Sequence, residues 1–273
     1  MPELPEVETI ARTLQKGTQY APSIVGKTIT GANVYWAKTV AVPDWQAFEQ
    51  LIIGQKINNV GRRAKYLVVN LDQDTLLIHL RMSGDLLVGP AGEQLANHVR
   101  VSLELDKEWQ LAFNNPRKFG RMWLLEDPQV LFDKLGPEPF DPSLNGQMFW
   151  QKLQRHKRQI KPLLLDQNFI AGLGNIYADE ALFLSKIHPL TRADKISLTL
   201  AASLIENIRQ VLDEGIRRNG ASIDWVYRGG DFQNYFRVYQ KTGEPCLNCA
   251  TPIERIVVGQ RGTHFCPTCQ VIL

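Results

Sequence analysis

At 273 residues the chain is long enough for two modest domains, each with its own core. Its composition, 44% hydrophobic and 22% charged, is that of an ordinary globular protein. No apolar run approaches the roughly 18 residues of a membrane span, and the acidic, proline-bearing start is no signal peptide. The net charge of +3 is unevenly placed: residues 150–273 carry 16 basic against 11 acidic side chains, residues 1–149 carry 15 against 17. Together these features exclude a membrane protein and a secreted scaffold, and they place the chain in a reducing, cytoplasmic setting.

The chain opens Met1-Pro2-Glu3-Leu4-Pro5-Glu6-Val7-Glu8-Thr9. From Pro5 the pattern predicts a helix: proline suits its first positions, and Glu6 and Glu8 complement its positive end. Val7, Ile10, Ala11 and Leu14 form one apolar face. Glu8 reads as ordinary N-terminal helix chemistry. Pro2 admits a second reading. Removal of the initiator methionine, normal before a small residue, leaves a secondary amine with a pKa of about 8. Such an amine can attack an electrophilic carbon and form an iminium, with Glu3 beside it to move protons. Most N-terminal prolines do no such thing.

Residues 25–125 read mostly as strands. Lys27–Trp36, Tyr66–Leu71, Thr75–Leu80, Val99–Leu105, Trp109–Phe113 and Met122–Leu125 are short, β-rich and bounded by turn signals, a pattern of a sandwich or a barrel. Asp44–Ile53 reads as a helix inserted among them. Basic residues punctuate the turns, at Gly61-Arg62-Arg63-Ala64-Lys65-Tyr66, at His79-Leu80-Arg81-Met82-Ser83-Gly84 and at Asn114-Asn115-Pro116-Arg117-Lys118-Phe119-Gly120. Mixed basic and aromatic loops suit phosphate contact with base stacking or wedging, although each taken singly is an ordinary hairpin turn.

After the turn-rich Leu135-Gly136-Pro137-Glu138-Pro139 the periodicity becomes helical, clearest over Gln147–His156, Ile176–Ser185 and Leu198–Arg217. Lys152, Arg155, Lys157, Arg158 and Lys161 form a run with no acid among them. This is either a solvated helix face or the footprint of a polyanion, and the later basic ribbon favours the polyanion. Gly172-Leu173-Gly174-Asn175 precedes a helix whose free N–H groups suit a phosphate; a capped helix start looks the same. Residues 219–235 read as a long loop.

All four cysteines lie at the end of the chain, as Cys246-Leu247-Asn248-Cys249 and Cys266-Pro267-Thr268-Cys269. Two Cys-x-x-Cys knuckles at this separation match a four-cysteine zinc ribbon, with Ile253–Phe265 as a hairpin between them. A pair of disulfides is the alternative, which a reducing compartment disfavours. Such a site has no spare ligand position, so one zinc ion would hold shape and do no chemistry.

The constellation resembles the bacterial formamidopyrimidine-DNA glycosylases of the helix–two-turns–helix superfamily. The resemblance covers the whole chain. It rests on Pro2 through Thr9, Arg62-Arg63-Ala64-Lys65-Tyr66, His79 through Gly84, Asn115 through Gly120, Gly174-Asn175-Ile176-Tyr177-Ala178 and Gly259-Gln260-Arg261-Gly262-Thr263. Leu4 adds to it, since the sister endonuclease VIII group typically has glycine there. The resemblance implies an α+β multidomain fold in three parts. Residues 1–135 are expected to form a catalytic β-sandwich domain with flanking helices. Residues 136–235 would form a helical DNA-binding domain with a lesion-sensing loop at 219–235, and residues 236–273 a β-hairpin zinc-ribbon finger.

It further implies a bifunctional DNA glycosylase and abasic-site lyase of base excision repair. The enzyme would be a monomer of the bacterial cytoplasm, acting at the nucleoid on duplex DNA with oxidised purines (8-oxoguanine, formamidopyrimidines) or abasic sites. Pro2 is the expected nucleophile at the sugar C1′, Glu3 the proton carrier and Glu6 a supporting carboxylate. Lys65 is expected to assist β-elimination and Arg261 δ-elimination. Met82, Arg117 and Phe119 match the trio that fills the void left by a flipped base, and Lys157 and Asn175 match phosphate-binding positions. Cys246, Cys249, Cys266 and Cys269 match the zinc ligands. Two departures stand out. Ala96-Asn97-His98-Val99 lacks the first of two family histidines, so no role passes to His98, and Ile223 through Arg228 match the family loop poorly. Two rivals remain: an endonuclease VIII-like enzyme for oxidised pyrimidines, and a catalytically silent damage-binding protein.

Overall fold

The structure is a computed structural model that describes residues 1–222 and 229–273. By packing, the chain divides into two compact units, Met1–Asp133 with Ala221–Gly230, and Lys134–Gly220 with Asp231–Leu273.

In the first unit, helix α1 (Leu4–Lys16) buries Val7, Ile10, Ala11 and Leu14 and ends at Gly17. Gly17 has φ +76°, and a Cβ there would meet the backbone N of Ser23 at 2.6 Å, so only glycine turns the chain at this point. Strands β1 (Ile29–Val34) and β2 (Val40–Val42) follow, then helix α2 (Trp45–Ile52), capped by the Asp44 side chain. Next come β3 (Asn59–Arg63), β4 (Tyr66–Asn70), β5 (Thr75–His79), β6 (Asp85–Pro90), β7 (Val99–Leu105), β8 (Trp109–Asn114) and β9 (Arg121–Leu125). The short helix α3 (Gln129–Phe132) closes the unit's main run.

The strands form two sheets, one in the order β2-β9-β5-β4-β3 and the other β1-β7-β8-β6. Leu67, Val69, Leu76, Ile78, Met122 and Leu124 from the first join Val101, Leu103, Leu105, Leu111 and Phe113 from the second in one buried core. The result is a sandwich, resolving the choice between sandwich and barrel. Helix α1 packs on β3 and β4 and helix α2 on β1 and β2. Every strand and helix expected in this region is present, to within a few residues at the ends. Three strands are additional, and each lacks the usual pattern. Strand β2 is three residues long and β3 ends in Gly-Arg-Arg. Strand β6 begins with Asp85 and ends in Gly-Pro, a turn signal.

The second unit is helical: α4 (Gly146–Gln154), α5 (Ile160–Leu164), α6 (Asn175–Leu184) and α7 (Leu198–Arg217). Asn145 and Ser197 cap α4 and α7 through their side chains. Helix α7 packs on α4 and α6, with Leu204, Ile205, Ile208, Val211 and Leu212 buried. Helix α6 is buried from Ile176 to Phe183, with Asp179 and Glu180 enclosed among its apolar residues. The unit ends in the antiparallel hairpin β10 (Glu254–Val258) and β11 (Arg261–Phe265). Among the described residues no helix is long and apolar enough to cross a membrane.

Candidate active site

In the first unit the chain start is held from within. Pro2, Glu3 and Glu6 are buried, and Glu3 is the N-cap of α1. The Glu6 carboxylate accepts from the Glu3 backbone N–H at 2.8 Å through Oε2 and from the Ala221 backbone N–H at 2.8 Å through Oε1. Both of its oxygens thus serve backbone donors. The arrangement holds the Glu3 backbone and Ala221 to one carboxylate.

Lys65 is 5% exposed and lies in the β3–β4 turn, where Ala64 adopts a left-handed φ of 54°. Helix α1 packs on this hairpin through a polar strut. Arg62 Nε donates to Glu8 Oε2 at 3.0 Å, and Arg62 Nη1 donates to the Ala64 carbonyl at 3.0 Å. Burial pushes the Glu8 carboxyl up, but the hydrogen bonds and charges of Arg62 and Arg12 outweigh it and hold the group below its ordinary value. Glu8 is therefore more than helix-end chemistry. It ties helix α1, which follows Pro2 and Glu3, to the turn that carries Lys65. Sequence spacing could not reveal this, because Arg62 lies 54 residues away.

His79, at the end of β5, is 8% exposed, and its Nδ1 accepts from the Arg81 N–H at 3.0 Å. Burial, helped by the charges of Arg81 and Lys65, pushes its pKa down to about 3, so it is neutral at physiological pH. The Lys65 charge thus sits near a neutral acceptor ring that does not repel it.

Met82, Arg117 and Phe119 lie on two loops of this unit and are exposed, Met82 by 40% and Phe119 by 54%. Arg117 Nη1 reaches Met82 Sδ at 3.9 Å, and the Arg117 N–H donates to Ser83 Oγ at 3.3 Å. An exposed phenylalanine beside an exposed arginine and methionine is an unusual use of surface. Lys118, with φ 60°, places its ammonium over the Trp36 ring, 4.0 Å from the centroid. Gly120 closes the loop, since a Cβ there would meet Phe113 at 2.4 Å. Asp85, next to this loop pair in sequence, is pushed up to about 6 by burial, against the hydrogen bond from the Leu86 N–H. His98 is exposed, and its carbonyl accepts from the Asn115 N–H.

In the second unit, Arg261 is exposed at the start of β11 and paired with Val258. Gly259 (φ 55°) and Gln260 (φ 63°) form the two-residue turn before it, with the two positive φ angles that suit a tight hairpin. Asn175 opens α6, and its Nδ2 donates to the Gly262 carbonyl at 3.0 Å, so the residue also braces the hairpin tip. Lys157 is exposed. Lys161, the last cation of the basic run, is the exception: it is 0% exposed and ion-paired with Asp179, whose side chain is also 0% exposed. The basic run is therefore shorter than its sequence suggests, because the apolar residues flanking Lys161 carry it into the interior.

Two acids of α6, unremarked in the sequence, anchor the ribbon. Asp179 accepts from the His264 N–H at 3.0 Å. Glu180 accepts from the backbone N–H groups of Arg237, Val238 and Tyr239 at 2.9–3.0 Å. Burial pushes the Glu180 carboxyl up, opposed by these three bonds and by the Arg237 charge. Paired acids inside an otherwise apolar helix were the available signal, since buried charges need partners.

Cys246, Cys249, Cys266 and Cys269 bring their sulfurs within 4.8 Å of one another. Three of the separations are 3.9, 3.5 and 3.5 Å. Four thiolates about 2.3 Å from a tetrahedral zinc stand about 3.8 Å apart, so the cluster fits one zinc ion with no further ligand. Backbone N–H groups of Asn248 and Cys269 point at Cys246 Sγ and Cys266 Sγ, each at 3.4 Å, as ribbon knuckles require. The ribbon thus holds one structural zinc.

Comparison with known proteins covers the chain end to end. Residues 1–122 match the formamidopyrimidine-DNA glycosylase N-terminal domain. Residues 135–226 match the H2TH domain of the same glycosylases, and residues 243–271 match a zinc finger found in FPG and IleRS. The chain is 47% identical to a formamidopyrimidine-DNA glycosylase of Chloroflexus aurantiacus, over all of this chain and 99% of that one. A Lactococcus lactis formamidopyrimidine DNA glycosylase bound to AP-site DNA is similar at TM-score 0.90 and 36% identity, over 98% of this chain and 99% of that one. A protein named MutM in complex with carbocyclic 8-oxo-G DNA gives TM-score 0.90 and 37% identity, over 99% and 100%.

Proposed function

Because the chain belongs to the formamidopyrimidine-DNA glycosylase family, we propose that it excises oxidised purines from duplex DNA and then cleaves the strand at the resulting abasic site. Its place of action is the DNA of a bacterial cytoplasm, at the nucleoid.

With Met1 removed, the Pro2 nitrogen is a free secondary amine. Its lone pair attacks C1′ of the flipped nucleotide, and the bonding pair of the glycosidic bond leaves with the base. The sugar opens to an iminium, with Glu3 carrying the protons. Loss of the C2′ proton expels the 3′ phosphate, and loss of the C4′ proton expels the 5′ phosphate. Lys65 assists the first elimination and Arg261 the second. Met82, Arg117 and Phe119 occupy the space of the flipped base, Phe119 as the wedge and Arg117 toward the orphan base. Lys157 and Asn175 hold backbone phosphates. Zinc supplies no chemistry; Cys246, Cys249, Cys266 and Cys269 use it to keep the ribbon folded.

The observation that carries this reading is the chain start itself. Pro2 and Glu3 are buried at the head of α1, and Glu6 holds the Glu3 backbone. The test is borohydride trapping on duplexes carrying 8-oxoguanine opposite C, thymine glycol, or an abasic site. Trapping on 8-oxoguanine above thymine glycol is expected. A preference for thymine glycol would point to an endonuclease VIII-like specificity, and no adduct on any duplex would leave a silent binder. Undiminished trapping by N-terminally acetylated protein would remove Pro2 as the nucleophile.

A further inference from the structure

Beneath the hairpin tip lies a buried polar cluster that the chemistry above does not use. Lys161 Nζ is fully enclosed, so it cannot reach a phosphate. It is ion-paired with Asp179 and donates to the Gly262 carbonyl at 3.1 Å and to Thr263 Oγ1 at 2.7 Å. Thr263 is 0% exposed, and its hydroxyl donates to the Arg261 carbonyl at 3.0 Å. A hydroxyl has one proton to give. An ammonium donating into its oxygen leaves that proton to point elsewhere, and here it points at Arg261. Asp179 completes the frame by holding the next residue, through the His264 N–H at 3.0 Å.

A buried ammonium is costly unless it is paired and bonded. Tying the fold together would be served as well by apolar side chains of the same volume. What the ions add is direction. They fix Gly262, Thr263 and His264, three consecutive residues of β11, at backbone or hydroxyl groups, and through the Thr263 hydroxyl they reach the carbonyl of the exposed Arg261. We propose that Lys161 is a positioning residue for Arg261, acting through the Thr263 hydroxyl, and that the Lys161–Thr263–Arg261 relay sets the efficiency of δ-elimination. The proposal rests on the reading of Arg261 as the residue that assists that step.

The test uses zinc-loaded, full-length protein on an abasic duplex under single-turnover conditions, with the ratio of β,δ- to β-elimination product as readout. Thr263→Val keeps the buried volume and removes the hydroxyl; Thr263→Ser restores the hydroxyl. Thr263→Val and Lys161→Met are expected to lower the ratio about tenfold, the scale of a lost hydrogen bond to a charged group. Zinc content and borohydride trapping should stay within about twofold of wild type. Thr263→Ser should recover most of the ratio.

A wild-type ratio in Thr263→Val, where Arg261→Ala loses it, would overturn the relay and leave the role of Arg261 standing. Loss of zinc or trapping together with the ratio would overturn it too, as the cluster would then merely hold the ribbon. An unchanged ratio in Arg261→Ala would remove the role of Arg261 and the relay with it.

Discussion

The Glu6 carboxylate accepts a hydrogen bond from the Ala221 N–H at 2.8 Å, across 215 residues of chain. Its other oxygen accepts from the Glu3 N–H. Glu6→Gln puts an amide N–H₂ against one of these two donors and leaves it unpaired. The expected cost is about 2 kcal/mol of stability, read as a lower urea midpoint at unchanged slope. Trapping should fall as well, because Glu3 loses its tether. A wild-type midpoint would show that the two bonds contribute nothing net.

The Glu8–Arg62 pair has a pH signature. The folded carboxyl lies below its ordinary value of 4.5. Its contribution is therefore fully present above that value and fades as the pH falls through the lower, folded one. With the group half-buried, about 1 kcal/mol is the expected size. Arg62→Ala should lose this increment at neutral pH and show a shallower decline on acidification below 4.5. Parallel acid unfolding curves for the two proteins would contradict the assignment.

His79 acts in a higher window. Its folded pKa of about 3 lies below the ordinary 6.5. The unfolded chain therefore takes up a proton first, and stability falls as the pH drops from 6.5 toward 3. His79→Asn keeps an acceptor for the Arg81 N–H without the titration. Urea midpoints measured at intervals from pH 7 to pH 4 should fall less steeply for the variant; equal slopes would remove His79 as the cause.

Zinc removal should act on binding. Chelation, or Cys249→Ser, frees the hairpin that presents Arg261, and affinity for an abasic duplex is expected to drop about tenfold or more. Fluorescence anisotropy alongside zinc content is the measurement. Affinity that survives complete zinc loss would deny the metal its structural role.

Phe119→Ala should separate two substrates. Wedging helps a base leave the stack, and an abasic site has no base to extrude. Excision of 8-oxoguanine should fall about tenfold while cleavage of a preformed abasic site changes little. Equal losses on both would make Phe119 a general DNA contact.

Most of this protein was legible as pattern. The apolar face of Val7, Ile10, Ala11 and Leu14, the alternation through Val99–Leu105 and the period of Leu198–Arg217 each recur at the spacing their element imposes. Two Cys-x-x-Cys knuckles suffice to name a zinc ribbon, because ligand spacing is local. The loop residues Met82, Arg117 and Phe119 were legible as a motif, and the structure brings Arg117 to Met82 at 3.9 Å. Of the loop read at 219–235, residues 223–228 lie outside those described.

What pattern could not supply is which charges are buried and what they face. Lys161 stands among exposed cations in sequence yet is enclosed beside Asp179, and Glu8 looked like a helix end yet braces the Lys65 turn. The ribbon was legible as a zinc-held hairpin; only the fold shows that Lys161, Asn175 and Asp179 meet its returning strand at Gly262, Thr263 and His264. Periodicity and ligand spacing are properties of neighbours along the chain. The partner of a buried charge is chosen by packing, between residues that the sequence keeps far apart.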